Sequence, residues 1–399
     1  MNQQGPSRRG YVVACLCSLA FLTIVDRVCI SAAKSDISAD LGISDAVFGW
    51  VFGAFAVGYT LMMIPSGWLA DRYGPRKTLA LCVLLWSGLT AMTGWAQGTA
   101  ILLIVRFLFG LAEAGSFPGA ARAIACWLPI RERGLAMGLL NTGSRLGAAF
   151  GLWGMSLCIL HFGWRSSFAL LGVAGVFWAA LWFTWFRDRP RSDLQDATPL
   201  KAQVVEGSLL RSRSVYLILF QYFASQVTFF LCFSWLLPYM KTRYQLNAAT
   251  AGMYASIPLY VGAVANWVSG LAVDKVYAMG YHSWSRKLPA MFGFALASIA
   301  LVLAASVSSV HGFVLYFSLA TFGVDLTLSP SWTACADLGG RHTGMLSGAM
   351  NMMGSVGSLV SAVAFPLLLG MTGDIKCYFY LAIALNLAAM AGWCVTLEE

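Results

Sequence analysis

Six ionisable side chains stand inside stretches that are otherwise apolar: Asp26, Arg27, Arg106, Glu113, Arg145 and Asp325. A charge in such surroundings is costly, so it pairs with another charge or lines a water-filled cavity. Three guanidiniums point to an anionic ligand, because the planar fork of Arg matches a carboxylate bidentately. A carboxylate can carry a proton if its surroundings change during a working cycle, since burial favours its neutral form and a neighbouring Arg its ionised form. Glu113 beside Arg27 or Arg106 would be poised between those pulls, and an anion that occupied the Arg would favour protonation of the acid. Anion and proton would then bind together. Arg106 and Glu113 lie two helical turns apart and so share one face of a helix. From there each meets groups on other helices more readily than it meets the other. The alternative for all six is a static salt-bridge network holding helices together.

The elements that must position these groups follow from composition. Of 399 residues, 59% are hydrophobic and 11% charged, whereas soluble domains hold about 25% charged residues. With mean hydropathy +0.71 and 40 Gly, the chain reads as polytopic, because glycine permits close helix packing in lipid. Twelve spans of roughly 20 residues would use about 240 residues and leave no room for a large soluble domain. Cutting the apolar runs at charged or turn-rich stretches predicts helices near 11–33, 47–70, 77–96, 99–126, 133–159 and 165–186. A second set follows near 214–240, 248–275, 287–306, 311–335, 342–370 and 376–396. The expected fold is an all-α membrane protein of twelve transmembrane helices: an N-terminal six-helix bundle (1–186), a cytoplasmic linker (187–213) and a C-terminal six-helix bundle (214–399).

A net charge of +9 would suggest nucleic acid in a soluble protein, but in a polytopic chain it must be sorted by side. With the N-terminus inside, Arg72, Arg76, Lys77, Arg131, Arg133, Arg187, Arg286 and Lys287 all fall on the cytoplasmic side, and only a few Lys and Arg fall outside. The positive-inside rule therefore predicts both termini in the cytoplasm, a cytoplasmic (inner) membrane location and no nucleic-acid partner. The ten Cys are scattered singly, without zinc spacing, and read as reduced thiols with no metal. Arg8 and Arg9 precede an apolar run, but Asp26 and Arg27 interrupt it before any cleavage site, so a retained first helix is expected.

The two halves echo each other. Gly67-Trp-Leu-Ala-Asp71 recurs as Gly270-Leu-Ala-Val-Asp274, and Gly134, Gly138, Asn141 and Gly147 share their spacing with Gly344, Gly348, Asn351 and Gly357. A parallel repeat of six helices with a binding site where the halves meet is a transporter architecture. Asn141 and Asn351 serve either that site or interhelical hydrogen bonding. Among the aromatics, Tyr222, Trp235, Tyr239 and Trp332 either wall a cavity or face lipid and core. Pro118, Pro238 and Pro330 are expected to bend their helices.

Gly67-Trp-Leu-Ala-Asp-Arg-Tyr-Gly-Pro-Arg-Lys77 resembles the loop signature between the second and third helices of the major facilitator superfamily. Val25-Asp-Arg27, Arg106-Phe-Leu-Phe-Gly-Leu-Ala-Glu113 with Phe117-Pro118, and Arg131-Glu-Arg133 before a Gly-rich fifth helix narrow the match. They resemble its anion:cation symporter family, which includes sialin, vesicular glutamate transporters and bacterial sugar-acid permeases. The resemblance implies that Arg27 meets a substrate carboxylate, that Asp26 and Glu113 carry protons, and that Tyr59, Trp332 and Asn351 contact substrate. It also implies that Asp71 faces the positive N-terminal end of the eleventh helix as a cytoplasmic latch, with Arg72, Arg76 and the repeated Asp274 as further gating residues. Ile24 and Ser144 stand where some of those permeases carry Tyr and Gln, and Arg145 and Asp325 lie outside the pattern, so the permeases' substrate is not implied.

The combined expectation is a secondary transporter that moves a small organic anion, a carboxylate or sugar acid, with protons by alternating access. It would work as a monomer in the lipid bilayer, driven by the proton gradient, with no cofactor and no enzymatic activity. Arg106, Arg145 and Asn141 would support the charge network, Tyr222 would join the substrate site and Asp325 would be a further proton carrier. The rivals are a proton-coupled drug or metabolite exporter of the same superfamily, disfavoured by the buried Arg and a fifth helix without a Gly-Pro pair, and a non-transporting membrane sensor.

Overall fold

Proline and glycine decide where the apolar runs bend and end. The computed structural model describes residues 6–188, 212–231, 235–246 and 248–395, and most of the expected linker, 189–211, lies outside them. The regular structure of the described residues is helical throughout. It comprises α1 (Pro6–Ala32), α2 (Lys34–Leu41), α3 (Asp45–Tyr73), α4 (Pro75–Gly94), α5 (Thr99–Glu113), α6 (Ser116–Trp127) and α7 (Arg133–Trp185). There follow α8 (Arg213–Phe230), α9 (Leu236–Arg243), α10 (Ala248–Ala278), α11 (Trp284–Ser306), α12 (Val310–Leu326), α13 (Leu328–Gly339), α14 (Thr343–Thr372) and α15 (Lys376–Val395). Gly74, at φ +85°, separates α3 from α4, and Pro75 then opens α4 at its first position, where the missing N–H costs nothing. Gly163, at φ +74°, breaks α7 into two spans.

Besides the expected span at 214–240, which holds α8 and most of α9, two expected spans are each a pair of helices. Residues 99–126 hold α5 and α6, and residues 311–335 hold α12 and α13. Each break stands just ahead of a proline, Pro118 or Pro330, which cannot donate to the carbonyl four residues back. For Pro330 that carbonyl belongs to Leu326, and the Ser269 hydroxyl of α10 donates to it at 2.5 Å. The break is therefore satisfied by a neighbouring helix, as backbone at membrane depth requires. Among the described residues these helices make up twelve spans: α1, α3, α4, α5 with α6, two in α7, α8 with α9, α10, α11, α12 with α13, α14 and α15. Trp50, Phe177, Leu359 and many other large apolar side chains are exposed, which suits a lipid-facing surface.

By internal contacts the chain divides into two units. One comprises Met1–Leu128, Gly143–Thr198 and Arg341–Gly348; the other comprises Pro129–Thr142, Pro199–Gly340 and Ala349–Glu399. The first turns of α7 thus group with the second unit, and those of α14 with the first. The first unit packs a core of Cys29, Ile30, Phe48, Val51, Leu102 and Phe168. The second packs Leu301, Phe313, Phe317, Tyr378 and Phe379.

One crossing in the first unit sets the position of its polar centre. α3 meets α5 backbone to backbone at Gly58 and Gly110: a Cβ on Gly58 would run into the Phe107 carbonyl, and one on Gly110 into the Phe55 carbonyl and the Tyr59 amide. That approach carries Phe55 and Tyr59 toward the charged residues of α1 and α5. Overpacking such a contact costs about 1–3 kcal/mol, so Gly110→Val is expected to lower the unfolding temperature of the purified protein. Gly154→Ala, inside α7 where a Cβ meets nothing within 4 Å, should not lower it.

Candidate functional site

Asp26 and Arg27 are adjacent on α1, and helical geometry turns adjacent side chains to different neighbours. Arg27 reaches α5, where its Nε forms an ion pair with Glu113 Oε1. Its guanidinium lies 4.2 Å from the Tyr59 ring centre and 5.4 Å from that of Phe55. Arg106 shares the Phe55 ring at 5.4 Å and covers Phe109 at 4.4 Å. Aromatic faces attract guanidinium, so the α3 aromatics hold both cations in place. Glu113 is wholly buried whereas 25% of the Arg27 side chain is accessible, so an incoming anion would meet Arg27 first. Four polar atoms of this cluster are buried without a hydrogen-bond partner: Arg27 Nη2, Glu113 Oε2, and Arg106 Nε and Nη1. Buried polar atoms are normally satisfied, so these have capacity for a ligand.

Asp26 turns instead to α4, where Trp86 Nε1 donates to Oδ2 at 3.1 Å and Thr90 Oγ1 to Oδ1 at 3.0 Å. Arg145 is half-buried on α7 in the same unit. The structure therefore brings Arg27, Tyr59 and Glu113 together, adds Phe55 and Arg106, and gives Asp26 a separate setting. Phe55, Trp86 and Thr90 escape a search for charged groups. Phe55 lies one turn before Tyr59 on the same face, and Trp86 and Thr90 share a face of α4, a spacing that could have found them.

In the second unit Tyr222 and Trp332 form an edge-on pair with ring centres 6.0 Å apart, both buried. Gln221 and Ser331 tie α8 to α13 by a hydrogen bond of 2.9 Å beside them. Asn351 is half-buried on α14. Asn141 donates its amide to the Met137 carbonyl of its own helix at 2.9 Å. Asp325 is fully buried on α12 against Gly262, where a Cβ would collide with its carboxylate.

The repeated motif gives two matching contacts. In the first unit Asp71 accepts from Gly344 N at 2.9 Å and Met345 N at 2.8 Å, in the first turn of α14. In the second, Asp274 accepts from Gly134 N and Leu135 N, both at 2.8 Å, in the first turn of α7. Each carboxylate satisfies amides that have no partner within the helix and sits at the positive end of its dipole. Glycine permits the approach: Gly67 and Gly344 would each strike the other's carbonyl if they carried a Cβ. Arg122 supports Asp71 at 3.4 Å.

The other gating candidates are held elsewhere. Arg72 covers Trp68 and Tyr73. Arg76 donates to the Phe183 carbonyl at 2.7 and 2.9 Å, while its amide binds Asp188. Burial pushes the Asp188 carboxyl above its usual range, and the Arg76 amide draws it back. Asp337 was missed in the sequence. It is buried and takes Arg133 at 2.8 Å and Arg286 at 2.9 Å. The repeat offered only residue order as a signal, since Arg286-Lys287 stands twelve residues after Asp274 and Arg76-Lys77 five after Asp71.

Residues 16–362 match the Major Facilitator Superfamily. The chain belongs to this family. Members of the Major Facilitator Superfamily are transporters and not enzymes, and the chain is an integral, multi-pass membrane protein. It is 29% identical to a probable sulfoacetate transporter of Cupriavidus necator, over 94% of this chain and 91% of that relative. It is 27% identical to a probable galactarate/D-glucarate transporter of Bacillus subtilis (92% and 87% covered). Identity to a probable L-galactonate transporter of Escherichia coli is 29% (91% and 83% covered). The fold is similar to that of a proton:xylose symporter, with a TM-score of 0.80 at 13% identity over 99% of this chain and 97% of that one.

A carboxylate at a helix N-terminus contributes roughly 0.3–1 kcal/mol, and up to about 2 when partly buried. Asp71→Asn should therefore loosen the first turn of α14 by a few-fold up to about thirtyfold in population. Labelling of a Ser347→Cys reporter, buried in that segment, should accelerate by the same factor in a background lacking other reactive thiols. An unchanged labelling rate would show that the contact does not hold the helix.

Proposed function

We propose that the chain is a secondary active transporter that carries a small organic anion, a carboxylate or sugar acid, together with protons by alternating access. The observation that carries this reading is the Arg27–Glu113 pair, with one partly accessible cation, one buried acid and unused hydrogen-bonding atoms on both. A substrate carboxylate that takes up the Arg27 fork competes with Glu113 for the same charge. Arg27 and Arg106 balance Asp26 and Glu113 in this cluster, and a substrate carboxylate adds a third negative charge to two guanidiniums in a dry site, so Glu113 accepts a proton as the anion binds. Each ligand then raises the affinity for the other, which is the thermodynamic requirement for symport. The reading is supported by relatives named for sulfoacetate, galactarate or glucarate, and L-galactonate, all small organic anions.

Tyr59 and Phe55 present aromatic faces beside Arg27, whose Nη2 has no hydrogen-bond partner and can meet an anion. Tyr222, Trp332 and Asn351 of the second unit contribute to substrate recognition, and Asp325 is a further carrier of protons. Asp71 and Asp274 act as gates that release α14 and α7 in turn. The proton gradient is the driving force, the protein works as a monomer, and the Lys and Arg distribution puts both termini on the cytoplasmic side of the inner membrane.

Counterflow of labelled organic acids in proteoliposomes tests the reading, because a sensor that kept the fold would give none. Hydrogen bonds to charged groups contribute roughly 1.5–3 kcal/mol, so Arg27→Ala should weaken substrate binding about tenfold to a hundredfold. Arg27→Lys should recover little of it, lacking the bidentate fork. Affinity within about twofold of wild type in the Ala variant would remove Arg27 from the substrate site.

A further inference from the structure

Asp26 differs from Glu113 in one chemical respect: both of its oxygens are already occupied by neutral donors. Trp86 and Thr90 lie one turn apart on α4 and are buried with it. They are not equivalent. An indole N–H can only donate, whereas a hydroxyl donates or accepts by rotating its hydrogen. A proton placed on Oδ2 would face the Trp86 N–H hydrogen to hydrogen. A proton placed on Oδ1 points at Thr90 Oγ1, which accepts it once its own hydrogen turns away.

That hydrogen has somewhere to go. A helical threonine can donate to the carbonyl four residues back, as Thr93 does to Leu89 at 2.9 Å on the same helix. For Thr90 the corresponding acceptor is the Trp86 carbonyl. The ionised acid therefore has two donors, and the neutral acid has one donor and one acceptor, with no other side chain moved. The charged groups facing Asp26 are Glu113 and Arg106 of α5. Cys29, on α1 itself, donates to the Asp26 backbone carbonyl and not to its carboxylate.

We infer that Trp86 and Thr90 are positioning residues that make Asp26 a two-state proton site, with Trp86 fixing Oδ2 and Thr90 receiving the proton on Oδ1. The inference rests on the proposed proton coupling and deepens it by naming what holds the proton. In the cycle an O–H bond forms at Oδ1 when a hydronium ion from one side of the membrane gives up its proton, and breaks when that proton passes to water on the other side. The side chains around it change only a hydroxyl rotor.

Infrared difference spectroscopy of the purified, full-length protein reads this directly. The carboxylic-acid C=O band that appears on acidification and is lost in Asp26→Asn belongs to this residue. In Thr90→Val, which keeps the shape but removes the acceptor, the band should move to higher wavenumber, and pH-driven accumulation of substrate should fall at least about tenfold, the scale of one charge-assisted hydrogen bond. Thr90→Ser should restore both the band and the accumulation, a recovery that a merely structural role for Thr90 does not predict for the band. A band unmoved by Thr90→Val, or not restored by Ser, overturns the inference while leaving proton coupling intact. If wild-type protein shows no Asp26 band at any pH, or Asp26→Asn still couples normally, the inference falls together with the assignment of Asp26 as a proton carrier.

Discussion

A guanidinium and a carboxylate held together inside an apolar bundle constrain much of the first unit. Arg27 and Glu113 come from α1 and α5, and neither helix could keep its charge at that depth alone. The glycine crossing of α3 on α5 brings Phe55 and Tyr59 within cation–π distance of Arg27. The same Phe55 ring serves Arg106. The pair is incomplete by design of its surroundings: two of its atoms and two of Arg106 are buried with no protein partner. A pair satisfied on every side would be a structural fastener, whereas this one retains capacity for an anion, and the proposed transport uses that capacity.

The same physics recurs where charge meets backbone. Asp71 and Asp274 each hold two successive amides at the start of a long helix, at closely similar distances. Such contacts are strong enough to hold a helix end and weak enough to exchange, because a dipole-scale interaction amounts to about 2 kcal/mol at most. Behind Asp274 the buried Asp337 joins Arg133 of α7 to Arg286 of α11. The region of the second-unit contact is thus braced by full ion pairs, while beside Asp71 stand Arg122, at 3.4 Å, and His342.

Much of this organisation was legible in the sequence because lipid imposes strong rules. Spans, the internal repeat and the family follow from apolar runs, recurrent glycines and the loop motif, and the first helix predicted at 11–33 is Pro6–Ala32 in the structure. Glu113 was recognisable as a charge in an apolar run, and its pairing with Arg27 was one of two options that helix geometry left open. What the sequence could not give was direction. Adjacent Asp26 and Arg27 serve different helices, Arg76 binds the end of α7, and Asn141 bonds its own helix, because side-chain aim depends on which helix packs alongside. The breaks at Gly115 and Thr327 read as simple bends, since the hydroxyl of Ser269 that satisfies Leu326 lies far away in the chain. Asp337 was hidden because its partners, Arg133 and Arg286, lie 204 and 51 residues away in the chain.

The central claim is that Glu113 couples proton to anion through Arg27. Glu113→Gln keeps the shape and the hydrogen-bonding length but cannot titrate, so it separates binding from coupling. Reconstituted in liposomes, the Gln variant should still exchange labelled substrate across the membrane in the absence of any gradient, and should fail to accumulate it when a pH gradient is imposed. Accumulation at the wild-type level by that variant would contradict the account and place the coupling site elsewhere.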